Sequence, residues 1–146
     1  MLIATWNVNS IRSRLNLVEE FLEKANPDLL CIQETKVEDE IFPKKSFLEN
    51  GYHLSFYGQK SYNGVALISK EHLADVRFGF SGELVDDKSH NAMDKQKRVI
   101  SALIDGLRVV NVYVPNGSDL ESDKYKYKIE WLKTLHKYLT HQATRN

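Results

Sequence analysis

The 146 residues hold one cysteine, three prolines and no net charge, with twenty Lys plus Arg set against twenty Asp plus Glu. A single cysteine excludes a disulfide framework within the chain and any zinc site built from cysteines. Cys31 lies in the apolar run Leu29-Leu30-Cys31-Ile32, which fits a buried thiol in a reducing compartment. Zero net charge removes the broad basic field that nucleic-acid binders often carry, so any such binding must rest on local clusters. These are Arg12 and Arg14, Lys44 and Lys45, and Lys124, Lys126 and Lys128. Residues 1–8 lack the basic start and the long apolar segment of a signal peptide. The simplest expectation is a cytoplasmic protein with no membrane partner. No repeat, low-complexity tract or linker divides the chain, and 42% hydrophobic residues suffice for one apolar core.

What is present is a regular alternation of patterns. Residues 2–8 read as a strand, and Leu15, Val18, Phe21, Leu22 and Ala25 then recur at helical spacing. Asn9, Ser10 or Ser13 could cap that helix, and Pro27 stops it. Residues 29–32 form an apolar strand, so strand, crossover helix and strand predict an α/β protein with a parallel or mixed sheet. A charged connector with one short helix over 38–50 leads to a hairpin of residues 52–57 and 65–69, turned at Asn63-Gly64. Another strand is predicted over 74–80, then a long polar loop over 81–97 that includes Asp86, Asp87 and Asp94. Two β-branched runs around Asp105-Gly106, residues 98–104 and 107–114, predict a second hairpin. In the final helix, Ile129, Leu132, Leu135 and Leu139 mark the expected apolar face, widened by Trp131 and Tyr138.

Polar residues at strand ends carry the chemistry. Glu34 follows four apolar residues and requires a counter-charge or water where the strand surfaces. A hard divalent cation is one such partner, because magnesium accepts one or two protein carboxylates and keeps several waters. Asn7 ends the first strand and Tyr113 the last, the one able to orient a metal-bound water, the other to donate to a phosphate oxygen. Alone, Asn7 reads first as an ordinary turn residue and Tyr113 as an ordinary strand aromatic. Lys36, Arg98 and Lys128 are the basic residues placed to meet substrate phosphates. Parallel strands deliver such groups to one edge, where open α/β sheets build ligand sites.

In order along the chain, Ile3-Ala4-Thr5-Trp6-Asn7-Val8-Asn9-Ser10-Ile11-Arg12, Gln33-Glu34-Thr35-Lys36, Tyr57-Gly58-Gln59-Lys60, Gly64 to Lys70, Arg98-Val99-Ile100 and Tyr113-Val114-Pro115-Asn116-Gly117 resemble the exonuclease III and apurinic-apyrimidinic endonuclease family of the endonuclease/exonuclease/phosphatase superfamily. The resemblance implies a four-layer α/β/β/α sandwich of the DNase I type, with a mixed sheet and flanking helices. It implies that Glu34 binds Mg2+, or Mn2+ in its place, that Asn7 assists in that shell, and that Tyr113 is catalytic at the scissile phosphate, with Lys128 nearby. The implied activity is cleavage of double-stranded DNA at abasic sites and from 3′ ends, in base excision repair. The family's Asp-x-Asn motif, later aspartate and terminal Ser-Asp-His do not occur in this sequence. Residues 1–146 are therefore expected to be the amino-terminal part of one such domain, without its carboxy-terminal half and its general base. Such a piece is expected to expose an apolar sheet face, covered by self-association or a complementing fragment. The alternatives are a non-catalytic DNA- or partner-binding family member, or another phosphoesterase of the superfamily.

Overall fold

Among the described residues, the apolar and β-branched runs become seven strands: β1 Ile3–Asn7, β2 Leu29–Gln33, β3 His53–Tyr57, β4 Val65–Ser69, β5 Ala74–Phe78, β6 Val99–Ile104 and β7 Leu107–Val112. Four helices accompany them, α1 Leu15–Ala25, α2 Lys45–Glu49, α3 Asn91–Asp94 and α4 Asp123–Thr144, with 3-10 turns at Asp39–Ile41 and Lys88–His90. The computed structural model describes residues 1–84 and 88–144. Among them, no helix is long and apolar enough to cross a membrane.

A mixed sheet has the order β1-β2-β4-β3, with β1 and β2 parallel and the other pairs antiparallel. An antiparallel sheet has the order β5-β6-β7. Alternation along β2 sorts its residues between two cores. Leu30 and Ile32 pack with Val18 and Leu22 of α1, whereas Leu29 and Cys31 pack with Ile100, Ala102 and Ile104 of the second sheet. The outer face of that second sheet meets α4 through Val99, Phe80, Trp131 and Tyr138. Helix, sheet, sheet and helix thus stack as the four layers the resemblance implied.

Several sequence expectations need correction. The second sheet packs on β2 and β4 of the first through Ile100, Ala102 and Ile104. Beside that contact the edge strand β1 is more open, with its alternate residues Ile3, Thr5 and Asn7 exposed and Ile3 the apolar one of the three. Helix α1 has Arg14 at its N-cap and no side-chain cap bond, and Ser10 Oγ accepts the Ser13 N–H inside the preceding turn. Asn26 ends it in the left-handed region at φ 48°, its N–H bonded to Leu22 O. The connector holds a 3-10 turn as well as α2, and β5 stops at Phe78. Within 81–97 the chain forms the 3-10 turn and α3, where buried Asp94 accepts the N–H groups of Phe80 at 2.7 Å and Ser81 at 3.0 Å. Asp86 and Asp87 lie outside the described residues.

The face of α4 is also rotated from the expected one. Trp131 and Tyr138 are fully buried, while Leu132 and Leu139 are 37% and 43% exposed. Each leucine follows a buried aromatic by one residue, about 100° around the helix, and the larger aromatic surface takes the core position. Trp131→Ala should therefore cost about 3–5 kcal/mol in urea unfolding, and Leu132→Ala less than about 1 kcal/mol. Equal losses would contradict this packing.

Candidate active site

Strand alternation would place Glu34 on the α1 side with Leu30 and Ile32. Its backbone instead turns left-handed, φ 57°, as does that of Lys36, φ 55°, a conformation that costs a non-glycine residue energy and persists only when neighbours hold it. The neighbours are visible. Ser10 N–H donates to Glu34 O at 2.8 Å, Ile11 N–H to Thr35 O at 3.1 Å, Thr35 N–H to Gly64 O at 3.2 Å and Lys36 N–H to Asn63 O at 2.9 Å. Gly64 serves this clamp, since at φ 91° a Cβ there would lie 2.0 Å from Thr35 Oγ1.

The turn brings the Glu34 carboxylate to Asn7 and Tyr113. Asn7 Nδ2 donates to Glu34 Oε1 at 2.8 Å, and Asn7 Oδ1 accepts the Asn9 N–H at 3.1 Å. Lys36 Nζ stands 3.2 Å from Glu34 Oε2 and also donates to Asn9 Oδ1. Partial burial raises the pKa of Glu34, but Asn7, the Tyr113 phenol and Lys36 outweigh it and hold the pKa below the ordinary value. Tyr113 shifts the opposite way, because burial and the facing Glu34 charge both disfavour its phenolate.

Tyr113 continues the face of β7 that carries Val109 and Asn111 toward the first sheet. Its N–H donates to Arg98 O at 2.8 Å, and the Arg98 guanidinium lies 4.7 Å from its ring centroid. Arg98 further donates to Gln96 Oε1 at 2.9 Å and Tyr113 O at 3.2 Å. Burial lowers the Arg98 pKa, opposed by Tyr127, Tyr113 and Glu34. A cleft of about 310 Å³ opens here, lined by Gln96, Arg98, Tyr113, Asn116, Ser118 and Lys124 among others. A larger groove of about 750 Å³ between α1 and α2 carries Glu19, Glu20 and Glu23, the wrong sign for a polyanion.

Asn7, Glu34, Tyr113, Lys36 and Arg98 are thus brought together. Lys128 is not in the carboxylate cluster, and its stem lies over Gly117, where an added Cβ would sit 3.0 Å from Lys128 Cδ. Sequence reasoning missed the polar link behind the site. Gln33 Nε2 donates to Thr5 Oγ1 at 2.9 Å and Asn111 Oδ1 at 2.7 Å, and buried Asn111 donates to Ile32 O at 2.9 Å and Ala66 O at 3.0 Å. The available signal was one amide inside the run Val109-Val110-Asn111-Val112. Glu34 and Asn7 offer hard oxygen donors, and among the described residues no group of three or more His, Cys, Asp or Glu could form a cage. That set fits magnesium, which takes one or two protein oxygens and keeps its waters, better than a softer ion.

Comparison with known proteins places the chain in a family. The sequence model of the Endonuclease/Exonuclease/phosphatase family matches residues 4–133. The chain is 35% identical over 144 residues to exodeoxyribonuclease III of Haemophilus influenzae, covering 95% of this chain and 51% of that protein. The structure of an AP endonuclease from Archaeoglobus fulgidus superposes with TM-score 0.84 at 48% identity, covering 95% of this chain and 51% of that one. A 3′-5′ exonuclease from Neisseria meningitidis gives TM-score 0.89 at 42% identity, covering 99% and 54%. The chain therefore spans about half the length of the exodeoxyribonuclease relatives it matches.

The electrostatics set a pH signature. Because the folded pKa of Glu34 lies below its ordinary value of 4.5, the stability it contributes is complete above the unfolded pKa and is lost as pH falls through the folded one. Urea unfolding across the acid range should show a shallower decline for Glu34→Gln than for the wild type. Identical acid limbs would mean that these donors do not hold the charge.

Proposed function

Since the chain belongs to the endonuclease/exonuclease/phosphatase family, in its exonuclease III and AP endonuclease branch, we propose that it acts in a magnesium-dependent phosphodiesterase on DNA, cutting duplexes at abasic sites and degrading strands from 3′ ends. One observation carries the reading: a metal-type carboxylate from one sheet meets a phenol stacked on a guanidinium from the other. Asn7 orients Glu34 by donating Nδ2 to Oε1, and its own Oδ1, which accepts the Asn9 N–H, keeps a second lone pair. Tyr113, kept protonated by burial and by Glu34, supplies a neutral donor for a phosphate oxygen. Arg98, fixed by Gln96 and the Tyr113 ring, supplies fixed positive charge, and Lys124 and Lys128 add more along the 115–118 loop. Bound at Glu34 and Asn7, magnesium would neutralise charge developing on the phosphoryl oxygens. Lys36 screens Glu34 in the structure, and its place in the proposal is to turn to phosphate once the carboxylate has another cation.

A cytoplasmic setting belongs to the proposal, supported by the single thiol Cys31, free and buried. The open β1 edge is where a second copy or a complementing segment would pair. A second reading, DNA binding without cleavage, is favoured by the lone carboxylate among the described site residues.

The test is a duplex with one abasic site, incubated with the chain in magnesium or in chelator. Magnesium-dependent cleavage is expected, falling at least about 100-fold in Glu34→Ala and about tenfold or more in Tyr113→Phe. Duplex binding without cleavage by the folded wild type would support the second reading, and neither binding nor cleavage would contradict both.

A further inference from the structure

Glu34 and Tyr113 belong to different sheets, so their separation is set by how those sheets lie on one another. The contact between the sheets is mostly apolar: Leu29, Cys31, Val65 and Leu67 against Ile100, Ala102 and Ile104. Apolar packing rewards burial but is not directional, so a small slide or tilt of one sheet changes it little. The reacting edge needs tighter control, because a displacement of about 1 Å is enough to degrade a site.

Asn111 supplies direction at that edge. It is 3% exposed, and its amide is engaged on both sides. The two Nδ2 hydrogens go to Ile32 O and Ala66 O, which belong to residues paired across β2 and β4. A carbonyl has two lone pairs, so these bonds need not displace ladder bonds. Oδ1 accepts from Gln33 Nε2, which also bonds Thr5 of β1. One β7 side chain thus ties together three strands of the opposite sheet. The tie sits one residue before Glu34 along β2 and two residues before Tyr113 along β7, on the face that Tyr113 shares.

We infer that Asn111 is a positioning residue: its bridge to Ile32, Ala66 and Gln33 sets the distance between Glu34 and Tyr113. The inference rests on the proposed function only in taking those two as the working groups. Asn111 touches neither substrate nor metal in this account and acts through the strand ends.

A double-mutant cycle on the full chain tests it without reference to activity. Glu34→Gln and Tyr113→Phe are combined, and urea unfolding reads their coupling, once with Asn111 present and once in Asn111→Leu, which keeps the branched heavy-atom skeleton and removes the bonds. With Asn111 the coupling should be roughly five- to tenfold in the unfolding equilibrium constant. In Asn111→Leu it should fall below about twofold, a change that general loss of stability does not produce because it cancels in the cycle. Should Asn111→Leu not fold, Asn111→Thr, suited to a strand and keeping one donor, carries the same comparison, with coupling expected to drop at least twofold. Coupling unchanged in the folded variant would overturn the positioning role. Cleavage of an abasic-site duplex, measured alongside, separates the two claims. A wild type that does not cleave contradicts the nuclease reading while the cycle still decides Asn111. An active wild type with unchanged coupling contradicts the Asn111 role alone.

Discussion

A carboxylate at the end of a mostly apolar strand has to be met by donors, and in this chain that requirement fixes much of the surrounding structure. Glu34 follows the four buried residues of β2 and half-buried Gln33, turns left-handed, and is gripped through its own and neighbouring backbone by the segments 10–11 and 63–64. Its side chain then collects Asn7 from β1, Lys36 from the following turn and the phenol of Tyr113 from the other sheet. Loops distant in sequence converge because one charge at one strand end needs them. The left-handed turn is what moves that charge from the helix side of the sheet to the seam between sheets.

The seam divides the work between two kinds of force. Apolar packing of the two sheets supplies cohesion without direction, and the Thr5-Gln33-Asn111 link supplies direction at the edge where the polar groups gather. Buried amides with unmet hydrogens are costly, and Asn111 avoids that cost by using both of its donors and its acceptor. On the far side, Trp131 and Tyr138 of α4 hold the second sheet from behind, with Ser122 capping the helix through Tyr125 N–H at 3.1 Å. The cleft beside Tyr113 lies between these supports, with Arg98 on the strand side and Lys124 on the helix side.

The strands were legible because period-two and β-branched patterns survive any tertiary context, and because Asp105-Gly106 permits the positive φ angles that a tight hairpin needs. Asn7, Glu34 and Tyr113 were legible as strand-end polar residues, since adjacent strands carry such residues to one edge. The rest depended on information that a single segment does not hold. Asn111 looks like a flaw in a β-branched run until the opposite sheet presents two carbonyls to it. The α4 face was misjudged because leucine spacing says nothing of which side meets a sheet with room for a tryptophan. Lys36 reads as a free cation until the left-handed turn folds it back onto Glu34. The four layers were implied only by family resemblance, and of the open sheet face expected beside them the structure shows Ile3, Thr5 and Asn7 exposed on β1.

The central claim is that Asn7 and Glu34 of one sheet and Tyr113 of the other form a single cation-accepting site. Paramagnetic broadening by Mn2+, followed residue by residue in an NMR titration, addresses it most directly. The account predicts broadening centred on residues 7, 34 and 113, displaced by magnesium and absent in Glu34→Gln. Broadening centred on the Glu19, Glu20 and Glu23 groove, or unaffected by that substitution, would contradict it.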